Sequence, residues 1–172
     1  MAMQTTPQVP AFLRGNLEGC STLASAWLRG LESTEEHVAK WASGLSKEGF
    51  WWSPAPGTNS IGGLVNHIRT TALRLSHFAR GMALPPELDK PPAVQLASTG
   101  EEPEVVMARF RSAMGEVKSL IRALDPEDLE VLRERLGQRV QALHFWHKIV
   151  EHSHEHAGQI ITLRKLWDAK NA

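Results

Sequence analysis

Along most of the chain, apolar positions recur three or four residues apart, the spacing that places them on one face of an α-helix. Leu23, Trp27, Leu31, Val38, Trp41 and Leu45 follow this rhythm with one longer gap. They predict a first helical stretch from about Phe12 to Leu45, with Gly30 as a candidate bend. The segment "KEGFWWSPAPGTNS" interrupts the pattern with two prolines and two glycines and reads as a loop. Asn59 or Ser60 is a natural N-cap for the next helix, whose apolar face is Ile61, Leu64, Ile68, Leu75 and Phe78. Gly62 and Gly63 lower helix propensity near its start and permit close packing.

The segment "ALPPELDKPPAVQLASTGEEP" carries two Pro-Pro pairs, and no regular helix is expected there. Pro103 suits a helix N1 position, and a third helix follows through Val106, Phe110, Met114, Val117, Ile121 and Leu124. Asp125 and Pro126 then open a short helix to about Leu136, stopped by Gly137, before a last helix from about Arg139 to Asp168. No stretch shows convincing strand alternation, and no internal repeat is present. The expected architecture is all-α: a four-helix bundle with an additional short helix, in a single domain over residues 11–170, after a flexible tail at 1–10.

Composition narrows the functional classes. At 172 residues the chain is long enough for one substantial core. Its 19 Lys and Arg balance 19 Asp and Glu, so no basic surface points to nucleic acid. Cys20 is the only cysteine, which rules out an intrachain disulfide and fits a reducing compartment. It lies in what reads as early helix, with nothing nearby to activate it, and is taken as a structural thiol. The first residues lack a basic region followed by a long apolar core, and no apolar run approaches the roughly 20 residues of a membrane helix. The expectation is a soluble, cytoplasmic protein without a membrane partner.

Eight histidines remain to be explained, three of them alternating in "EHSHEHAGQI". At about 100° per residue, with His152 at zero, His156 lies at about 40°, Phe145 and Leu163 at about 20°, Ile149 at about 60° and Ile160 at about 80°. His152 and His156 therefore fall in the apolar stripe. His154 and His147 point away, at about 200° and 220°. Two inward imidazoles need partners, because an unsatisfied buried polar group costs roughly 1–3 kcal/mol. Bonds to backbone or carboxylates would satisfy them, and so would one metal ion reached by both rings. His67 borders the apolar side of the second helix and is the candidate third ligand. His77 faces elsewhere, and His37 and His144 read as surface or interhelical residues.

The order of motifs, "WWSPAPGTNSIGGLVNHI" and later "EHSHEHAGQIITLRKLW", resembles the DinB-like (DinB/YfiT-like) metalloenzyme superfamily over most of the chain, from the first helix to Trp167. The resemblance implies a four-helix bundle, usually a homodimer, with zinc or nickel held by His67, His152 and His156. The family's "GQ" falls on Gly158 and Gln159. Ala157 stands where the family often has a basic residue, and Glu155 where it often has histidine. The implied activities act on a small-molecule substrate: metal-assisted hydrolysis, or transfer dependent on a low-molecular-weight thiol. A non-catalytic bundle that binds a metal or a partner is the competing reading.

Three imidazoles with open coordination positions describe a catalytic site, one that can acidify a water molecule or a thiol. Since the ligands must be unprotonated, metal loss is expected as pH falls toward and below about 6.5. Gln159, at about −20°, could orient a ligand histidine or a substrate, or simply bond between helices. Glu155, at about −60°, could be a general base or a solvated helix residue. Asn66 is similarly open. Trp51 and Trp52 suit either the mouth of the site or a plug at the bundle end, and Trp146 is a candidate for the dimer surface. Arg69 and Arg164 read as surface charge, with attraction of an anionic thiol as the other use.

Overall fold

The computed structural model describes residues 9–172. The expected tail at residues 1–10 therefore lies outside the described residues except for Val9 and Pro10, both exposed. Four long helices form the body: α1 (Thr22–Ala42), α3 (Ile61–Arg80), α5 (Pro103–Arg122) and α7 (Ala142–Lys170). Between them lie three one-turn helices, α2 (Lys47–Trp51), α4 (Pro92–Leu96) and α6 (Pro126–Glu130). Each long helix packs on two others: α3 on α7 and α5, and α1 on the same two. The ring order is therefore α1, α7, α3, α5. No helix of the described residues is long and apolar enough to cross a membrane.

Side chains set the helix ends as their chemistry dictates. Ser21 caps α1 by accepting from the Ala24 N–H, and Ser60 caps α3 by accepting from the Gly63 N–H, both at 3.1 Å. Gly81 ends α3 with φ 68°, its N–H directed to the carbonyls of His77 and Phe78. The core between the helices is built from Leu28, Leu31, Phe50, Leu64, Ile68, Phe110, Met114, Ile149 and Ile160, all essentially inaccessible.

Several sequence expectations require correction. The first helical stretch is not continuous from Phe12. A 3-10 turn occupies Ala11–Arg14, and α1 begins only at Thr22, beyond the positive-φ Gly15 and Gly19. α1 continues unbroken through Gly30. A Cβ there would lie 2.6 Å from Val150 Cγ1, so its role is close packing against α7. The stretch "KEGFWW", read as loop, contains α2, capped by Ser46. The segment with two Pro-Pro pairs contains α4, because Pro92 occupies the first turn, where a missing N–H costs nothing.

The short helix after Asp125 ends at Glu130 rather than Leu136, and an antiparallel hairpin follows: β1 (Leu132–Arg135) and β2 (Gln138–Gln141). Its turn residues Leu136 and Gly137 both have positive φ, 52° and 74°. Trp146 is not on an outer surface: it is 1 % exposed and belongs to the core. The buried face of α7 is Ala142, Phe145, Trp146, Ile149, Ser153, Ala157, Ile160 and Leu163. On the same wheel these residues span about 20° to 140°, so His152 lies just outside the buried face and His156, at about 40°, near its edge, neither at its centre.

Candidate metal centre

Two helices bring the histidines together. α3 presents His67, 8 % exposed, from its buried side, and α7 presents His152 and His156 one turn apart. His152 Nε2 lies 3.1 Å from His67 Nε2 and 3.1 Å from His156 Nε2. One ligand atom from each of the three falls within 4.8 Å of the others, which makes this a group that could hold a metal ion. Nitrogens about 2.0–2.1 Å from a tetrahedral ion stand about 3.3 Å apart, close to the two short separations seen here.

The outer nitrogens determine which way the lone pairs face. His67 Nδ1 donates to Gln95 Oε1 at 2.9 Å, and Gln95 is held in that sense because its Nε2 donates to the Lys90 carbonyl at 2.6 Å. His156 Nδ1 donates to Gln159 Oε1 at 3.0 Å. Both rings therefore carry their proton outward and turn an unprotonated Nε2 inward. A proton on His152 Nε2 could bridge to only one of these two acceptors. The other contact would have no proton to bridge it, and with the proton on His152 Nδ1 both contacts would set nitrogen lone pairs face to face. A cation that accepts all three lone pairs resolves the conflict, so the donor set fits a divalent metal of the kind imidazole favours.

Electrostatics act in the same direction. Burial, then the neighbouring His156, His67 and Lys148, push His152 down to about 3. Burial also lowers His67, against the opposing bond to Gln95. Both rings are thereby held in the neutral form that a metal requires.

The glycines at the start of α3 explain how Gln95 reaches the site. A Cβ on Gly63 would lie 2.3 Å from the Leu96 carbonyl oxygen, so only glycine lets α4 settle onto α3. That approach carries Gln95, 7 % exposed, to His67. Sequence reasoning missed Gln95. The available signal was a lone glutamine beside apolar residues just after a proline able to begin a helix.

A cavity of about 540 Å³ opens beside the centre, lined by Pro54, Asn59, Leu64, Glu155, Gln159 and Leu163 among others. Gln159 joins the two, bonding His156 while lining the cavity. Among the described residues Glu155 is the only titratable side chain on the cavity wall, about half exposed and 3.7 Å from Lys148 Nζ.

The remaining candidates fall elsewhere. His154 bonds the Val150 carbonyl on the outer face of α7, His77 faces the Ala83 carbonyl, and His37, His144 and His147 are exposed. Trp51 donates to the Glu101 carbonyl at 2.8 Å, and Trp52 packs against Trp167 with the rings inclined at 55°. Neither lines the cavity. Arg164 pairs with Asp168 and donates to the Ser43 carbonyl. Arg69 is not ordinary surface charge, being half-buried beside Arg109. Cys20 is a partly buried free thiol packed against the core.

Comparison with known proteins identifies the family and the fold. The sequence profile of the DinB superfamily matches residues 30–160. No curated protein matches the chain significantly. Among solved structures, a DinB-like protein from Bacillus cereus ATCC 10987 is similar with TM-score 0.64 at 19% identity, over 82% of this chain and 90% of that one. A DinB-like protein from Bacillus subtilis, YjoA, gives TM-score 0.60 at 20% identity, over 84% and 91%. YfiT from Bacillus subtilis gives TM-score 0.67 at 15% identity, over 90% and 95%, and is described as "a probable metal-dependent hydrolase with an unusual four-helix bundle topology". At these identities the likeness concerns the fold.

Proposed function

The chain belongs to the DinB superfamily, and from that premise we propose that it is a divalent-metal-dependent hydrolase of a small-molecule substrate, with His67, His152 and His156 as the metal ligands. The observation that carries this reading is the convergence of three Nε2 atoms, two of them turned inward by glutamines on their outer nitrogens. YfiT, which shares the fold, is the neighbour whose description supports hydrolysis.

Each residue has a task in this reading. Gln95 and Gln159 fix the tautomers and ring planes of His67 and His156. Burial keeps His152 neutral. A divalent cation, zinc or nickel, would supply Lewis-acid activation of water at a coordination position left open by three protein ligands. The substrate occupies the adjoining cavity, where Leu64, Pro54 and Leu163 offer apolar contact and Asn59 and Gln159 offer polar contact. Glu155, the only carboxylate on that wall among the described residues, accepts the proton released there.

The test is metal analysis of protein purified without a histidine tag, followed by turnover assays of loaded and stripped protein on ester and amide substrates, with and without small thiols. One metal per chain and metal-dependent hydrolysis are expected. Turnover that appears only with an added thiol would replace hydrolysis by thiol transfer. A loaded protein inert to every substrate would favour the non-catalytic, metal-binding bundle.

A further inference from the structure

A second polar pocket, of about 160 Å³, lies on the far side of Gln95 from the inward-facing imidazole nitrogens. Asn66, Arg69 and Thr70 reach it from one flank of α3, Arg109 comes from α5, and Glu101 from the segment between α4 and α5. Asn66 and Thr70 on its wall are buried, 7 % and 3 % exposed, whereas Glu87, Lys90, Val94 and Thr99 on the same wall are exposed.

Glu87 and Lys90 also line the pocket, so three cations, Arg69, Arg109 and Lys90, stand against two carboxylates, Glu101 and Glu87. Both oxygens of Glu101 are already engaged, one with Arg109 Nη2 and the other by the Thr99 hydroxyl at 2.8 Å. Arg69 has no carboxylate within ion-pair distance among the described residues. Its Nε is fully buried and unbonded. Its one hydrogen bond is a long 3.5 Å contact from Nη2 to the Thr70 hydroxyl, which itself donates to the Asn66 carbonyl. The Asn66 side-chain amide lines the same pocket and bonds no other protein group among the described residues. Two neighbouring guanidiniums, of which only Arg109 is paired with a carboxylate, form an incomplete charge set, and a buried unsatisfied donor is costly. Planar guanidinium forks match the oxygen geometry of carboxylates and phosphates.

We propose that this pocket is an oxyanion site, in which a carboxylate or phosphate group of a small molecule is held between Arg69 and Arg109 with the Asn66 amide as a further donor. It is separate from the metal centre, and it stands whether or not that centre is catalytic.

The test is a titration with inorganic phosphate, and separately with acetate, at constant ionic strength set by chloride. Thermal midpoint and calorimetric heat are followed for the wild type and for Arg69→Gln, Arg109→Gln and His152→Ala. The expected result is a saturable stabilisation of the wild type and of His152→Ala, with apparent affinity at least tenfold weaker in both arginine variants. Arg69→Gln is also expected to melt at or above the wild type in chloride alone, because it removes an uncompensated charge. That outcome separates a binding residue from one needed for folding. Stabilisation that survives in the arginine variants but vanishes in His152→Ala would place the anion on the metal and overturn the proposal. Indifference of the wild type to both anions would overturn it as well. The balance of phosphate against acetate shows which oxyanion chemistry the pocket prefers.

Discussion

Gln95 Oε1 accepts the Nδ1 proton of His67 at 2.9 Å, joining a one-turn helix to the candidate metal centre across 28 positions of sequence. The bond is doubly determined, since the Gln95 amide nitrogen is itself anchored on the Lys90 carbonyl. Loss of such an outer partner typically costs a ligand set about 10–100-fold in metal affinity. Gln95→Leu is therefore expected to lower zinc affinity by about one to two orders of magnitude while leaving helix content unchanged. Competition with a chromophoric chelator measures this, and an unchanged affinity would show that Gln95 does not act on the metal.

Gly63 makes the same prediction from the backbone. Gly63→Ala puts a Cβ 2.3 Å from a backbone carbonyl oxygen, which cannot rotate away as a side chain would. α4 must shift, and Gln95 shifts with it. The variant should lose both thermal stability and metal affinity. Gly158→Ala is the control: nothing lies within 4 Å of its added Cβ, so stability should hold or rise slightly.

Removing a ligand differs from loosening one. His67→Ala, His152→Ala and His156→Ala should each reduce bound metal to a small fraction of the wild-type stoichiometry, as read by elemental analysis of tag-free protein. Stoichiometric metal retained by all three variants would contradict the assignment of these ligands.

The pattern of what could be read from the chain follows from what each kind of order depends on. His152, His156 and Gln159 were legible because one helix's periodicity places them, and α7 is regular throughout. Trp146 was misjudged because the stripe had been centred on the histidines, whereas Ser153 and Ala157 shift the buried face away from them. The Ser153 hydroxyl is tolerated inside because it donates to the Ile149 carbonyl at 2.6 Å, a bond no hydropathy pattern reveals. The hairpin was hidden for a different reason. Its strand residues are mostly polar or charged, its turn uses Leu136 at positive φ instead of asparagine, and it is pinned from outside by Arg133 donating to the Ala79 carbonyl at 2.8 Å. Gln95 depends on the packing of α4 onto α3, a long-range contact that local propensity in a proline-rich segment does not report.

Glu155 and Gln159 should separate in their effects. Glu155→Gln leaves the ligands and their outer partners intact, so metal content should stay near wild type while hydrolytic kcat falls by about 10²–10⁴-fold, the usual range for a lost general base. Gln159→Leu should weaken metal binding as well as turnover, since the His156 bond is broken. Equal losses of metal in both variants would remove Glu155 from the chemistry.

The pH behaviour follows from the sign of the histidine shifts. His152 lies at about 3 in the folded chain against 6.5 for an unperturbed imidazole, and His67 is lowered in the same direction. Below about 6.5 the unfolded chain takes up protons that the native metal-free site refuses, so unfolding is favoured as pH drops. This contribution to stability is fully present above about 6.5 and is progressively lost on acidification toward about 3. The metal-free protein should therefore show a thermal midpoint that falls through this window, and His152→Ala should show a shallower fall. The same shifts bear on metal retention. Protons compete weakly for His152 and His67, so metal should persist to lower pH than the value of about 6.5 expected from unperturbed histidines. Parallel melting profiles of metal-free wild type and His152→Ala between pH 7 and 4, together with metal release centred on the unperturbed histidine pKa, would show that these rings are not held neutral by the fold.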